Sequence, residues 1–258
     1  MVDLVVLCGG LGTRIASVSK TTPKCLLPVG GRPALELILD HWVSAKNIDR
    51  IILCVGYLGD LVERYMGITY RDKPILYSRD RLQGSGGAVE RAVDMHSLHE
   101  ICVINGDTFF SFQPGVFFKE VEKISIMRGL DMPIVVTCSL NLSADADSRF
   151  DVLLVDSSTF SVRKGFGGAT VTTAPSNHHD KGLHVGWVYF EDALATLKQA
   201  GWFRESAVIN DAWSLEKKLL RSLVEFGDLH SVLADGAFFD IGVPDDYYLA
   251  NKQLRSST

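Results

Sequence analysis

The sequence predicts an α/β fold with a mostly parallel central sheet, on three observations. Short apolar runs, Asp3 to Cys8, Ile51 to Val55, Pro74 to Ser78 and Ile101 to Asn105, are separated by segments whose apolar residues recur at helical spacing. That alternation is the pattern of βαβ units. The first run ends in a glycine-rich turn, "GGLGTR" from Gly9 to Arg14, placed where ligands collect at the carboxyl edge of a parallel sheet. After Pro133 the strand-like runs "PIVVTCSL", "FDVLLVD", "TFSVRK" and "LHVGWVYFE" are spaced irregularly between polar loops, which reads as a mixed sheet rather than another βα repeat.

Each element follows in order. A first helix is expected over Ala34 to Lys46, where Pro33 pre-sets the first turn and Leu35, Leu37, Ile38 and Trp42 share a face. A second covers Asp60 to Tyr65 and a third Gly87 to Met95. Lys164 to Gly182, rich in Gly, Thr, Ser and His, is expected as a loop serving as a lid or a subunit contact. Helices then return over Glu191 to Gln199 and Asp211 to Phe226, before a last strand, "AFFDIG", and a closing helix from Pro244. No internal repeat is visible.

The chain has 258 residues, 47% apolar and 22% charged, which suits one continuous globular domain with a sizeable core and excludes a disordered or membrane-embedded chain. Its net charge of -5 gives no general attraction to nucleic acid or to an anionic membrane, so an anionic ligand must meet local cations. Arg14, Lys20 and Lys24 supply such a cluster. Five isolated cysteines without a CxxC pair read as reduced core residues. The opening "VDLVVLCGG" reaches glycine too early for a leader or membrane helix, making cytoplasm the expected compartment.

The glycine turn fits some phosphate-binding designs and not others. A P-loop needs GxxxxGK[ST], and no Lys-Ser or Lys-Thr follows a suitable glycine here. The dinucleotide pattern GxGxxG can begin at Gly10 and Gly12, but Ile15 occupies the third glycine position and "ILCVGY" offers no acid at the end of the second strand. What remains is a turn followed by cations at set distances, "GGLGTRIASVSKTTPKCLLPVGGRP". Gly9, Gly10 and Gly12 let the loop wrap a triphosphate, Arg14 can fork onto two oxygens, and Lys24 arrives as a compact second cation.

This spacing resembles the signature of sugar-1-phosphate nucleotidylyltransferases. Together "LCGGLGTR", "NGDTFF" and "FDIGVPDDYY" look most like D-glycero-D-manno-heptose 1-phosphate guanylyltransferases. The resemblance implies one domain with a Rossmann-like three-layer core: a nucleotide-binding part to about residue 110, a sugar-binding part over about 111–235, and a metal-ligand strand with its helix over about 236–258. It implies transfer of a nucleotidyl group from an NTP, GTP foremost, to a sugar 1-phosphate for surface polysaccharide synthesis, with release of pyrophosphate. The nucleophile is already an anion, so charge neutralisation at the α-phosphate matters more than a general base. Mg²⁺ is the implied cofactor, held by Asp107 and Asp240. Each acid taken alone favours a turn cap, whereas together with Arg14 and Lys24 they do not.

On that resemblance Arg14, Lys24 and Asp107 are the catalytic candidates. Leu7, Gly9, Gly10, Gly12, Thr13, Arg14, Gln83, Gly86 and Gly87 are those for the nucleotide. Asn105, Lys164, His184, Val185 and Gly186 are those for the sugar phosphate. There are departures. In "RLQGSGGAVE", Leu82 and Gln83 replace the Pro-Leu pair of the family's base-reading loop, and Gln83 reads either as a base contact or as a turn residue. Val185 stands where the family carries an amide, and Arg163 near the place of an acid. Either the sugar differs or His184 or a neighbour supplies the missing bond.

Three alternatives stay open: UTP, CTP or dTTP as donor, a different sugar, and a catalytically silent relative that senses a nucleotide sugar. A homo-oligomer is possible, with Trp187 as one contact the sequence permits. His178, His179 and His184 lack the register of a zinc site. Asp145, Asp147 and Asp151 read as a solvated turn, since Phe150 fills the glycine position of a calcium loop. Asp245 and Asp246 read as helix-start residues, His96 and His99 as helix-end residues. Phe109, Phe110, Phe238 and Phe239 read as core.

Overall fold

A computed structural model describes residues 1–79, 83–129, 133–140, 151–166, 179–199 and 212–255. Strand β1 (Val2–Leu7) leads into two 3-10 turns, Thr13–Ile15 and Lys24–Leu26. A hairpin of β2 (Pro28–Val29) and β3 (Arg32–Pro33) follows, then α1 (Ala34–Val43), β4 (Ile48–Val55), α2 (Gly59–Met66), β5 (Thr69–Tyr70), β6 (Lys73–Arg79), α3 (Gly84–His96) and β7 (Ile101–Asn105). Next come β8 (Thr108–Phe110), α4 (Pro114–Arg128), β9 (Ile134–Ser139), β10 (Val152–Asp156), β11 (Val162–Lys164), β12 (His179–Phe190) and α5 (Ala193–Gln199). A π-helical turn, Leu215–Leu220, runs into α6 (Arg221–Phe226), followed by β13 (Leu229–Ala234), β14 (Phe238–Asp240) and α7 (Pro244–Arg255).

The expected fold class is the one observed. Among the described residues the main sheet has ten strands, with β11-β10-β12-β7-β1-β4-β6-β5 as its path and β9 and β13 joined through β12. β7, β1, β4 and β6 are mutually parallel, whereas β12 runs antiparallel to β7, β9 and β10. The parallel half has apolar side chains on both faces, because helices cover both. Leu35 and Trp42 of α1, Val62 of α2 and Phe117 of α4 pack with Leu4, Val6 and Leu53 on one face. Val89 of α3, Leu197 of α5 and Leu219 of the π-turn pack with Val5, Ile52 and Val103 on the other.

The short strands β2, β3, β5 and β8 add to the expected elements, and two longer ones do as well. α4 was not anticipated, although Phe117, Phe118, Val121 and Ile124, its buried stripe, recur at helical spacing among charged residues. β13 was not anticipated because His230 and Ser231 break its apolar run, yet both are buried where β13 pairs in parallel with β9. Trp187 is corrected outright. It is only 2% exposed, 4.5 Å from Trp42 between ring centroids, and belongs to the core rather than to a subunit contact. Of the expected loop over 164–182, Lys164 ends β11 and residues from His179 belong to β12; residues 167–178 lie outside the described residues.

β12 positions the site. Its residues up to Leu183 pair with β10, and Val188 to Phe190 pair with β7. Between the two ladders the His184 N–H donates to the Asp151 carbonyl at 2.9 Å, and residues 185–187 pair with neither β7 nor β10. There Gly186 adopts φ +80 and the register with β9 shifts, as at a bulge.

Candidate active site

The glycine turn sits at the carboxyl end of β1 as its sequence requires. Gly12, with φ +63, caps the 3-10 turn that carries Thr13 and Arg14. Gly10 is exposed, with nothing within 4 Å of where a Cβ would stand. A Cβ on Gly56, at the end of β4, would lie 2.6 Å from the Gly9 carbonyl oxygen. Two facing backbones therefore hold the turn in place. The turn opens onto a cavity of about 270 Å³ lined by Leu7, Gly10, Gly12, Thr13, Arg14, Lys24 and Asp107, among others. Gly9 sits behind this lining, against Gly56.

The acids come from opposite ends of the chain. A small antiparallel ribbon pairs β14 with β8 and sets Asp240 opposite Thr108, while the Ile241 N–H donates to the Asp107 carbonyl at 3.0 Å. The Thr108 hydroxyl lies 3.2 Å from Asp107 Oδ1 and 3.1 Å from Asp240 Oδ2. The Lys24 ammonium pairs with Asp107 Oδ2, and the Gly242 N–H donates to Asp240 Oδ1. Burial first, and the Asp107 charge second, push the Asp240 carboxyl above its ordinary range, against the pull of Lys24, Gly242 and Thr108. Two carboxylates with one lysine between them leave excess negative charge that a cation would relieve.

α7 fixes this convergence. Tyr247 donates its hydroxyl to the Pro28 carbonyl at 2.9 Å and Asn251 accepts from the Gly30 N–H at 3.1 Å. Ile241, Tyr247 and Ala250 pack with Ile15, Leu27 and Val29. The C-terminal helix thus docks onto Ile15, next to Arg14, and onto the segment from Leu27 to Gly30 that follows Lys24. Asp245 and Asp246 stand in its first turn, as expected.

A second cavity, of about 360 Å³, adjoins the first and shares Arg14 with it. Asn105, Thr108, Asp151, His184, Val185, Gly186, Glu216, Lys217 and Asp240 are among its lining. This is the gap beside β12. A Cβ on Gly186 would collide with the Asn105 amide, so the glycine lets that amide into the wall. Val185 is packed into the cluster that holds Trp187, at 1% exposed. His184 lies in β12, within the strand-like run "LHVGWVYFE". It is 7% exposed, and neither ring nitrogen has a partner at good hydrogen-bond geometry, although the Thr137 backbone stands close enough to support its charged form. Burial foremost lowers its basicity, opposed by the charges of Glu216 and Asp151.

Other sequence candidates are placed apart from the two cavities. Lys164 is exposed on β11, the outer strand, opposite Leu154. Arg163 pairs with Asp156 at 3.2 Å. Gln83 caps α3, and its carbonyl accepts from the Trp213 N–H at 2.8 Å. The Gly86 N–H donates to the Trp213 carbonyl at 3.0 Å, and the Trp213 ring covers the face of Gly86 where a Cβ would be. Gly87 is buried against the Gln83 side chain. Of the phenylalanines, Phe110 is buried and Phe109 stacks on Phe239 at 4.9 Å, while Phe238 lines the second cavity.

The sequence reading missed Thr108, Glu216, Lys217 and Trp213, and it took Asp151 for a solvated turn residue; Asp145 and Asp147 lie outside the described residues. Thr108 was legible as the neighbour of Asp107. Glu216 and Lys217 carry no local signal beyond Ser214, which caps the π-turn by accepting from the Lys217 N–H at 3.2 Å.

Residues 4–113 match the MobA-like NTP transferase domain. The chain is 26% identical over 254 residues to a D-glycero-alpha-D-manno-heptose 1-phosphate guanylyltransferase of Aneurinibacillus thermoaerophilus, covering 98% of each. It is 27% identical to the enzyme of the same name from Campylobacter jejuni, over 95% of this chain and 96% of that one. Among solved structures, HddC from Yersinia pseudotuberculosis superposes with a TM-score of 0.69 at 25% identity, over 98% of this chain and 99% of that one; a further structure of it is a complex with GMP-PN. The resemblance read from the glycine turn and the two acidic segments is borne out. Among the described residues no helix is long and apolar enough to cross a membrane.

Proposed function

We propose that this chain, whose residues 4–113 match the MobA-like NTP transferase domain, transfers a nucleotidyl group from an NTP to a sugar 1-phosphate and releases pyrophosphate. The leading pair is GTP with D-glycero-D-manno-heptose 1-phosphate, on the strength of the full-length relatives that carry that name. The observation that carries the reading is the junction of the two cavities. Arg14 lines both, and Lys24, Asp107, Thr108 and Asp240 meet there.

The triphosphate occupies the cavity under the glycine turn, where backbone N–H groups and Lys24 meet its oxygens. The sugar 1-phosphate occupies the cavity beside β12. Arg14, in both walls, draws the two polyanions to one point, and that approximation is the larger part of the catalytic task. An oxygen of the sugar phosphate attacks the α-phosphorus as the bond to pyrophosphate breaks, so no side chain has to take a proton.

The hard oxygens of Asp107 and Asp240, with their excess negative charge, suit Mg²⁺, and these two acids would hold it. When bound, it supplies charge neutralisation at the α-phosphate. Lys24 keeps Asp107 oriented, and Thr108 spaces the two carboxylates.

The test is pyrophosphate release from each NTP with a panel of sugar 1-phosphates, with and without EDTA. GTP with the heptose phosphate is expected to be turned over, and EDTA to abolish turnover. Asp107→Asn is expected to be folded and inactive; wild-type turnover in that variant removes the metal assignment. No release with any pair would instead support a silent nucleotide-sugar sensor.

A further inference from the structure

Glu216 is tied to the nucleotide side of the molecule while lining the sugar cavity. Ser85, in the first turn of α3, donates its hydroxyl to Glu216 Oε2 at 3.0 Å and accepts from the Leu215 N–H at 2.9 Å. Ser214 donates to the same Oε2 at 2.7 Å. Both hydroxyls fall on one oxygen, so Oε1 keeps its acceptor capacity. The π-helical turn from Leu215 to Leu220 widens the helix at this point, as such turns do at functional sites, and Glu216 and Lys217 emerge from it into the cavity wall. In the same wall stands His184, nine-tenths buried, its ring nitrogens without a partner at good hydrogen-bond geometry and, whole charges aside, supported by the Thr137 backbone. A buried imidazole left so is costly until something pairs with it.

Resting on the function just proposed, we infer that Glu216 is the specificity-determining acceptor for the sugar hydroxyls, in the cavity it shares with His184 and Asp151, and that Ser85 and Ser214 are its positioning residues. The chemistry of the wall names the substrate class. An ionised carboxylate accepts and never donates, so Glu216 and Asp151 select hydroxyl groups and repel a carboxylate. The sugar is a neutral, polyhydroxylated one rather than a uronic acid. Lys217, beside Glu216, is the cation on this wall for the sugar phosphate, a role that exposed Lys164 on the outer strand does not fill. The function the family residue at position 185 would serve passes to the Asn105 amide and Glu216 from other elements, and to His184 on the same strand.

The test uses the full chain with GTP, Mg²⁺ and, in turn, heptose 1-phosphate, mannose 1-phosphate and glucuronic acid 1-phosphate. Calorimetric titration of the same sugar phosphates runs in parallel. Glu216→Gln keeps a carbonyl for the two serine hydroxyls and is expected to melt near the wild type; Glu216→Asp, which withdraws the carboxylate from the cavity, is the second variant. Both are expected to raise KM for the neutral sugar phosphates tenfold or more while KM for GTP stays within twofold, and Glu216→Gln to narrow the discrimination against glucuronic acid 1-phosphate. Ser85→Ala is expected to raise the same KM by a smaller factor, and the Ser85→Ala/Glu216→Gln double variant to be no worse than Glu216→Gln alone. An unchanged KM for sugar phosphate, or equal rises in both KM values, overturns the inference. If the wild type releases no pyrophosphate with any pair, the proposed function fails instead, and calorimetry decides the inference separately. Tenfold weaker binding of a neutral sugar phosphate by Glu216→Gln supports it; equal binding, or none by the wild type, overturns it.

Discussion

Thr108 Oγ1 lies 3.1 Å from Asp240 Oδ2, across a strand pair that joins residues 132 positions apart. The same hydroxyl reaches Asp107 Oδ1 at 3.2 Å, so one buried side chain sets the spacing of both acids. Thr108→Val keeps the shape and removes the hydroxyl. Losing a hydrogen bond to a charged group is expected to cost about 1.5–3 kcal/mol, read from urea unfolding. The Mg²⁺ concentration for half-maximal pyrophosphate release is expected to rise; no change in it would show that the hydroxyl does not space the acids.

Lys24 has two tasks, neutralising Asp107 and facing the first cavity. Lys24→Ala is expected to lower kcat by about 10²–10³-fold, the usual loss when a preorganised charge stabiliser is removed. Steady-state kinetics check this, and a change confined to KM for the NTP would mean that Lys24 only binds the ground state.

Gly186 has φ +80 and an Asn105 amide where its Cβ would be. Gly186→Ala therefore combines left-handed backbone strain, about 1–3 kcal/mol, with displacement of Asn105. The melting temperature is expected to fall and KM for the sugar phosphate to rise. Gly10→Ala, at an exposed position with open space, is expected to melt as the wild type does.

Burial is the leading cause that lowers the basicity of His41, His184 and His230. Each stays neutral in the folded chain at pH 7, while the unfolded chain takes up protons below about pH 6.5. The unfolded state then binds more protons, so stability is full above that pH and falls as the solution is acidified towards the lowered folded values. Urea unfolding between pH 7 and pH 5 is expected to show this decline. His184→Gln is expected to reduce its slope by up to about 1.4 kcal/mol per pH unit; an unchanged slope would mean that His184 titrates alike in both states.

Much of the nucleotide side was legible in the sequence. The apolar runs, the glycine turn and the placement of Arg14, Lys24 and Asp107 follow from local rules: strand period, glycine's access to positive φ, and the position of ligands at the carboxyl edge of a parallel sheet. The sugar side was less so. Val185 looked like a lost hydrogen bond, because the sequence does not show that its side chain turns into the core beside Trp187.

The sequence by itself determined the α/β layering and the class of ligand, since periodicity and motif spacing act over a few residues. Only the tertiary structure decided that β14 lies against β8, that β12 spans the gap between β7 and β10, and that Ser85 grips Glu216 across 131 positions. These pairings are set by which surfaces bury each other, and chain separation says nothing about that.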